Sequence, residues 1–407
     1  MEINKPVDKI QVGDWFKKNI IPKISTNIDK NWNNVTVDIS IPENSFFLST
    51  VYFIEIKFVD EQKSIKIVIK KPSGMTTMSE NMHTRQQFHN EILFYNNIST
   101  ASKRYPKCYY AFEDKYNVDN TIIVTENIET MGYKMCPVKY DIPFEYVIAG
   151  VEEIARFHAM SYIMKLRDPK KFYSICNEIE ETRYEKDDWH SKYINLISQR
   201  PIKWLKKEKF DPKFCEKIEK YFENAYGNIM ITSLEVKEPL AVFCHGDFTR
   251  NNILFRHSKN NNIEGKLIDF AMLRYASPSI DLSTFLYISV SNSDRKHRFD
   301  EIFNAYYQSM TKYFEDEKME IPNYYSYDVF VDDYKRKAMF GYIIAIFFLP
   351  LLREHVSLND INEEDFFNPE IMAAFSEDAG GDSLSREFAD MLLEIRNFGG
   401  LDHVQDF

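Results

Sequence analysis

The fold of this chain is decided by residues Cys244–Asp281, which read CHGDFTRNNILF…KLIDFAMLRYASPSID. Within this stretch, His245, Asp247 and Asn252 give the pattern H-x-D-x-x-x-x-N. Asp269 follows in the sequence LIDF, where a short apolar run predicts a strand that ends on a carboxylate. Three polar positions in the stretch therefore stand out, namely the carboxylates of Asp247 and Asp269 and the amide of Asn252.

These groups match the needs of phosphoryl transfer from ATP. One carboxylate orients the attacking hydroxyl, while an amide oxygen and a second carboxylate hold Mg²⁺. The step from Asp247 to Asn252 equals the corresponding step in the catalytic loop of protein kinases, and a hairpin through Ile253–Phe255 and back through Lys266–Ile268 leads to Asp269. A polar turn beside a hairpin explains Asp247 or Asn252 singly, but not their joint spacing with Asp269. The pattern predicts a phosphotransferase-type site that uses ATP and Mg²⁺.

Length and charge limit the classes of protein that fit. The 407 residues exceed one typical domain, so two lobes are expected, and the 44% of hydrophobic residues supports a large core. The formal net charge of −11 argues against a nucleic-acid partner, which would need a basic face to neutralise phosphates. The same charge disfavours binding to an anionic membrane surface.

Cysteine usage and hydropathy predict a cytoplasmic protein, which we expect to be a monomer. The five cysteines are scattered and show no C-x-x-C spacing, so neither a disulfide framework nor a zinc site is expected. The first residues, MEINKPVDKI, lack the apolar core of a signal peptide. The apolar run Met339–Leu352 is shorter than the ~20 residues that span a bilayer, which predicts a buried helix.

Lys70 is the first candidate for nucleotide binding. It ends the alternating run Ile65–Lys70, a predicted strand, and a lysine there can reach the α- and β-phosphates if a carboxylate orients it. The candidate carboxylate is Glu91, in the predicted helix Arg85–Ile98. The alternative for Lys70 is an ordinary solvated lysine at a strand edge, and Lys71 is a rival for the same role.

The chain is expected to leave the sheet at Glu126–Ile128. Two predicted strands, Tyr105–Phe112 and Thr121–Thr125, come before it, and Gly132 interrupts the chain after it. We expect a hinge here, at which the backbone groups of Glu126 and Ile128 pair with the edge of an adenine base. The predicted domains are accordingly residues 1–128 and residues 129–407.

The second predicted domain is mostly helical. Apolar residues repeat at helical spacing over Tyr146–Lys165, and His158 on that face is interpreted as a packed core residue. Asp281 can either cap the helix that follows it or brace the catalytic loop, and both roles are structural. Residues 168–236 carry no motif and either cap a substrate cleft or form helical bulk.

The chain resembles the ecdysteroid kinase-like family, a branch of the aminoglycoside-phosphotransferase and choline-kinase group. The resemblance covers nearly the whole chain. The stretches that carry it are Glu43–Tyr52, Ile67–Lys70, Phe88–Tyr95 (FHNEILFY), Pro106–Ala111 (PKCYYA), Glu126–Ile128, Ala155–Ser161 (ARFHAMS), Cys244–Phe255 and Ile268–Leu282. It implies an α+β, two-lobed protein-kinase-like fold, with a small antiparallel-sheet N-lobe that contains one key helix and a larger, mostly helical C-lobe.

The resemblance also implies a function and a set of roles. The family phosphorylates hydroxyl groups of small molecules, with ecdysteroid hormones as the named substrates and detoxification of other hydroxylated compounds as the broader expectation. The implied roles are Asp247 as catalytic base, Asn252 and Asp269 as Mg²⁺ ligands, Lys70 as a phosphate contact held by Glu91, and Ser49 as a loop contact to phosphate.

The sequence departs from related patterns at three places. The loop around Ser45–Thr50 has no glycine, so side-chain hydroxyls or a tight turn would have to meet the phosphates. Ala271 stands where protein kinases carry glycine, a residue that this branch does not use. Thr249 stands where tryptophan is common in the family, which is expected to affect the substrate pocket more than phosphate transfer.

Two alternatives stay open on the sequence alone. A choline- or aminoglycoside-type kinase would bind a cationic substrate through carboxylates, for which Glu178, Glu180, Glu181 and Asp187 are candidates. A catalytically inactive protein would use the same fold only to bind a nucleotide or another ligand.

Overall fold

The structure is a computed structural model, and it describes residues 9–28, 30–41, 49–73, 77–102, 104–185, 189–258, 260, 262–357 and 361–404. Of the predicted phosphate loop, residues 43–48 lie outside these ranges, as does Asp187. The strands are β1 (Val35–Ser40), β2 (Ser49–Phe58), β3 (Lys63–Pro72), β4 (Cys108–Phe112), β5 (Ile122–Glu126), β6 (Lys134–Met135), β7 (Val242–Cys244), β8 (Ile253–His257), β9 (Ile263–Leu267) and β10 (Arg274–Ala276).

Most of the remaining secondary structure is α-helical. In chain order the helices are α1 (Lys9–Asn19), α2 (Ile21–Ile24), α3 (Thr77–Asn81), α4 (Thr84–Leu93), α5 (Phe144–Arg167), α6 (Pro169–Cys176), α7 (Trp189–Ile197), α8 (Arg200–Lys207), α9 (Pro212–Phe222), α10 (Thr232–Leu234), α11 (Ser279–Ser289), α12 (Asn292–His297), α13 (Phe299–Asp316), α14 (Tyr327–Leu352), α15 (Glu363–Phe366), α16 (Pro369–Glu377) and α17 (Gly381–Asn397). In the part of the chain that the structure describes, no helix combines the length and the apolar character needed to span a membrane.

The chain divides into two compact units. The sheet-containing unit comprises the residues up to Lys134, together with Glu178–Arg183 and Ile268–Met272. The helical unit comprises Met135–Asn177, Tyr184–Leu267 and Leu273–Phe407. An antiparallel sheet in the N-terminal part and a larger helical C-terminal part confirm the predicted α+β class. The predicted boundary after residue 128 stays a prediction.

The sheet of the first unit has the strand order β1-β2-β3-β5-β4, and all neighbouring strands are antiparallel. Side chains alternate between the two faces of a strand. In β3, Ile67 and Ile69 are therefore buried on one face, where they belong to a core that includes Phe16 of α1. Burying each isoleucine contributes about 1.5–3 kcal/mol to folding. Lys70 consequently belongs to the opposite face, beside Val51 of β2 in the register.

The helical unit is held together by the close packing of α11 against α14. Gly341 of α14 makes this approach possible, because a Cβ atom at its position would lie 2.1 Å from the carbonyl group of Ser283 in α11. The apolar run Met339–Leu352 forms the C-terminal half of α14, and most of its side chains are buried, as the sequence predicted. In the same unit, β8 and β9 form an antiparallel hairpin that pairs Ile253 with Leu267.

Candidate active site

Lys70 is the centre of an ion-pair cluster in the sheet-containing unit. Its Nζ atom lies 2.7 Å from Glu91 Oε2 and 2.7 Å from Asp269 Oδ1. The side chains of Lys70 and Glu91 are 17% and 5% exposed, whereas the side chain of Asp269 is 41% exposed. The structure thus brings together three of the predicted site residues, and Lys70 has the carboxylate partner that the sequence suggested.

The rival lysine has a different environment. Lys71 lies on the other face of β3, and its Nζ atom is 4.6 Å from the centre of the Trp15 ring in α1. Burial lowers the pKa of Lys71, whereas the pKa of Lys70 is raised. Of these two lysines, Lys70 is the one that meets Glu91 and Asp269.

The electrostatics of the cluster depend on Lys70. Burial disfavours the charged form of this lysine, but the carboxylates of Asp269 and Glu91 outweigh that effect and raise its pKa above the ordinary value. Burial also raises the pKa of Glu91, while Lys70 and a hydrogen bond from the backbone N–H of Phe270 act in the opposite direction. Lys70 is therefore the main group that favours the ionised form of Glu91.

Backbone geometry and aromatic packing fix Asp269 in the cluster. Asp269 has a φ of +62°, in the left-handed region that residues other than glycine rarely adopt. The next residue, Phe270, is buried, and its ring stacks on that of Phe94 with the two planes 11° apart. Tyr95 and Tyr105 contact the same ring edge-on. Because Phe270 is anchored on both its ring and its backbone, the neighbouring Asp269 carboxylate is held at Lys70.

Asp247 and Asn252 meet in the loop that follows β7 in the helical unit. Asn252 Nδ2 donates hydrogen bonds to the backbone oxygen of Asp247 at 2.8 Å and to Asp247 Oδ2 at 2.9 Å. Gly246 has a φ of +81°, so the H-G-D sequence places glycine where the backbone is left-handed. The loop therefore presents the carboxylate and the amide as one hydrogen-bonded pair.

Asp281 braces this loop from α11, which is one of the two structural roles that the sequence left open. Its Oδ2 accepts the backbone N–H of His245 at 2.7 Å, and its Oδ1 accepts that of Gly246 at 2.8 Å. His158 lies 3.1 Å from Asp281 through Nε2 and 2.8 Å from the Tyr306 hydroxyl through Nδ1. His158 is fully buried, as predicted, but it also takes part in a polar network that hydrophobic periodicity did not reveal.

We expect Asp281→Ala to lower the free energy of unfolding by about 3–5 kcal/mol, because the buried N–H of His245, the partly buried N–H of Gly246 and the buried His158 ring would all lose their partner. Urea unfolding monitored by circular dichroism measures this change. The control is Asp332→Ala, which removes an exposed ion pair with Arg336 and should alter stability by less than about 1 kcal/mol. Equal stability of the two variants would contradict the bracing role of Asp281.

His158, Cys244 and Asp281 also come close enough to share a metal ion. Burial raises the pKa of the Cys244 thiol well above its ordinary value, so the thiolate that a metal would need is disfavoured. The oxygens of Asp281 already accept two backbone N–H groups. His158 is hydrogen-bonded to Asp281, and the Cys244 thiol donates to the backbone oxygens of Ala276 and Ser277. These contacts, together with the disfavoured thiolate, argue for a structural role rather than a metal centre.

The remaining predicted residues lie in the sheet-containing unit. Ser49 is the first residue of β2 and is buried. Glu126 ends β5, and its N–H donates to the backbone oxygen of Lys107 at 2.8 Å. Ile128 is buried at the start of the 3₁₀ turn Ile128–Met131. Their contacts to a nucleotide stay predictions.

A cavity of about 400 Å³ lies beside the turn that follows β5. Its lining includes Phe53 of β2, Lys66 of β3 and Asn127. Phe53, Lys66 and Lys70 are on the same face of the sheet, because Lys66 and Lys70 are four residues apart in β3 and Phe53 pairs with Val68 between them. The cavity therefore lies on the same face of the sheet as Lys70, which is not one of its lining residues.

The candidate metal ligands have suitable chemistry for Mg²⁺, which prefers carboxylate and amide oxygens. Both hydrogens of the Asn252 amide nitrogen are used in its bonds to Asp247, so Oδ1 is the atom that Asn252 can offer to a cation. Asp269 offers a carboxylate that is 41% exposed. Asn252 and Asp269 therefore each carry an oxygen of the kind that Mg²⁺ prefers. Their role as metal ligands stays a prediction.

Comparison with solved structures gives distant similarities. The GDP complex of wild-type aminoglycoside 2'-phosphotransferase-IIIa is 10% identical, with a TM-score of 0.44 over 96% of this chain and 99% of that chain. An ethanolamine kinase from Plasmodium vivax is 12% identical, with a TM-score of 0.42 over 89% of this chain and 83% of that chain. No curated protein matches the chain.

The model of the ecdysteroid kinase-like family matches residues 43–319. This match covers more than half of the chain and includes both the Lys70 cluster and the loop with Asp247. The chain belongs to the ecdysteroid kinase-like family, as the residues quoted from the sequence suggested.

Proposed function

We propose that the protein is an ATP-dependent kinase that phosphorylates a hydroxyl group of an ecdysteroid or a similar hydroxylated metabolite or xenobiotic. The observation that carries this proposal is the double ion pair of Lys70 with Glu91 and Asp269. A lysine held by a buried carboxylate, beside the aspartate assigned to the metal, is the arrangement that kinases use to bind the phosphates of ATP. Family membership supports the same reaction class.

In this proposal, Asp247 positions the acceptor. Its carboxylate accepts a hydrogen bond from the substrate hydroxyl, whose pKa is far above 7, and takes the proton late in the reaction. The hydroxyl oxygen forms a bond to the γ-phosphorus of ATP while the bond to the bridging oxygen breaks, which leaves ADP. Asn252 keeps Asp247 in place through its two hydrogen bonds.

The other proposed roles concern the nucleotide. Lys70 would contact the α- and β-phosphates, Glu91 would orient Lys70, and Asn252 Oδ1 and the Asp269 carboxylate are the oxygens that would be offered to Mg²⁺. When bound, Mg²⁺ neutralises negative charge on the phosphates. The face of the sheet with Phe53 and the backbone of Glu126 and Ile128 would receive the base. We further propose that the protein acts as a cytoplasmic monomer on a small molecule.

The environment of the acidic candidates weakens the case for a cationic substrate. Glu180 pairs with Arg85 at 2.8 Å, and Glu181 Oε1 accepts the backbone N–H groups of Thr182 and Arg183. The Glu178 carbonyl oxygen bonds to His89. Two of these carboxylates are thus already engaged within the protein.

The proposal is tested by incubating the protein with ATP, Mg²⁺ and a mixed library of sterols, glycosides and amino-alcohols. Mass spectrometry should show a gain of one phosphate on a hydroxylated, uncharged compound, and the Asp247→Asn variant serves as the matched control. Phosphorylation of amino-alcohols alone would favour the choline-type alternative. Nucleotide binding without phosphorylation of any compound would favour an inactive binding protein.

A further inference from the structure

A segment distant in sequence is attached to the helix that carries Glu91. Residues Glu178–Arg183, which we call the strap, follow α6, yet they belong to the same compact unit as α4. The chain enters this unit at Glu178 and leaves it after Arg183. The strap therefore has its structural partners in α4 and the sheet-containing unit.

Asn90 makes the most buried attachment. Its side chain is fully buried, with Nδ2 donating to the backbone oxygen of Glu180 at 2.8 Å and Oδ1 accepting the Glu180 N–H at 3.0 Å. The amide thus hydrogen-bonds both backbone groups of one strap residue, Glu180, as a residue of a neighbouring antiparallel strand would. Breaking such a buried pair leaves polar groups without partners, so the attachment is strong relative to a surface contact.

His89 makes a second attachment, whose strength depends on its charge. Nδ1 lies 2.7 Å from Glu113 Oε2, and Nε2 lies 2.9 Å from the backbone oxygen of Glu178. A carboxylate and a carbonyl oxygen are both acceptors, so only the imidazolium, with a hydrogen on each nitrogen, satisfies both contacts. Among the described residues, Glu180 and Arg85 are also close to this site, and Arg85 lies 2.8 Å from Glu180 and 3.8 Å from Glu113.

We propose that Asn90 and His89 are positioning residues for phosphoryl transfer, because they fix α4 to the strap so that Glu91 stays aligned on Lys70. Successive helical residues point about 100° apart. Asn90 can therefore anchor one side of α4 while Glu91 faces the lysine from another. The expected effect on phosphoryl transfer rests on the proposed function. The attachment of α4 to the strap does not depend on any reaction.

The attachment has a defined pH dependence. Glu113 and the Glu178 carbonyl group favour protonated His89 and raise its pKa above the ordinary value, although burial acts in the opposite direction. Because the pKa of His89 is higher in the folded protein, its two hydrogen bonds are fully present below the pKa of histidine in the unfolded chain, which is about 6.5. They are lost as the pH rises through the higher folded value, so α4 should loosen on the alkaline side.

The first experiment measures hydrogen–deuterium exchange of the α4 amides in the full chain without nucleotide. Asn90→Ala should speed their exchange by about ten- to a hundredfold, since two partly buried hydrogen bonds to Glu180 are lost. Asn96→Ala, which alters an exposed asparagine just beyond α4, is the matched control and should leave the exchange unchanged. Unchanged exchange in Asn90→Ala would overturn the attachment.

The second experiment uses His89→Gln, which retains a hydrogen-bond donor but cannot titrate. After correction for intrinsic rates, exchange of the wild-type α4 amides should increase several-fold between about pH 6 and about pH 8.5, while exchange in the variant stays flat. This half-buried site also gives a result if Asn90→Ala proves too unstable to study. An identical pH response in both proteins would overturn the role of His89.

Steady-state kinetics then separate positioning from a merely structural role. If Asn90 positions Glu91, Asn90→Ala should reduce kcat/KM for ATP by about tenfold or more, and Asn90→Gln should recover less than the wild-type value. If Asn90→Ala speeds exchange of the α4 amides but leaves the kinetics unchanged, Asn90 does not position Glu91. Its contact with the strap would then be structural only. If the wild type neither binds nor uses ATP, the proposed function fails, and the exchange data still decide whether the strap holds α4.

Discussion

Asp247→Asn is expected to lower kcat by about 10²- to 10⁴-fold, which is the usual contribution of a positioned general base. Asparagine keeps an oxygen that can accept the Asn252 hydrogen bond, so the loop should keep its shape while the proton acceptor is lost. ATP affinity should stay within a few-fold of the wild-type value, because the proposed role of Asp247 concerns the acceptor hydroxyl and not the nucleotide. Initial rates with the phosphorylated compound, combined with calorimetric titration of ATP, measure both quantities.

The matched control for this prediction is Asp300→Asn, which changes an exposed aspartate at the start of α13. That variant should keep the wild-type kcat. Full activity in Asp247→Asn would show that another group serves as the base. Loss of ATP affinity in parallel with kcat would instead assign Asp247 to nucleotide binding.

Asp269→Asn is expected to weaken Mg²⁺-dependent ATP binding by about 10²-fold or more, because cation affinity depends on the number of charged oxygen ligands. The change is nearly isosteric, and Lys70 would keep its contact with Glu91. Calorimetry with and without Mg²⁺ separates the metal-dependent part of ATP affinity from the rest. The difference between the two conditions should be large in the wild type and small in the variant.

Asp60→Asn is the control for this second experiment. Asp60 lies in the turn between β2 and β3, where its Oδ1 accepts a hydrogen bond from Asn34 that asparagine can also accept. The metal-dependent gain in affinity should be unchanged in this variant. If Asp269→Asn gains as much ATP affinity from Mg²⁺ as the wild type does, Asp269 is not a ligand of the metal.

Features that depend on short sequence spacings could be predicted from the sequence. The hairpin expected from Ile253–Phe255 and Lys266–Ile268 is present as β8 and β9, with slightly different ends. The step from Asp247 to Asn252 produces two hydrogen bonds between them. In these places the turn and strand patterns determine the local structure, so the residues alone carry the information.

Features that depend on contacts between distant residues could not be predicted in the same way. Asp281 hydrogen-bonds a loop 36 residues earlier in the chain, and Asn90 hydrogen-bonds the backbone of a residue 90 positions later. Neither partner follows from helix periodicity, which describes only the faces of one element. The sequence FHNEILFY nevertheless held a signal, because a polar Asn90 between Phe88 and Ile92 in a buried helix needs a partner.

The missing side chain at Gly341 has a consequence for the loop of Asp247. A methyl group there would have to push the Ser283 carbonyl group aside, and Ser283 lies two residues after Asp281 on the same helix. Moving α11 would shift the Asp281 carboxylate, which accepts hydrogen bonds from the backbone N–H groups of His245 and Gly246. The absence of a side chain at position 341 thus keeps α11 where Asp281 can support the loop. Even alanine at this position is expected to displace Asp281 and, with it, the backbone that precedes Asp247.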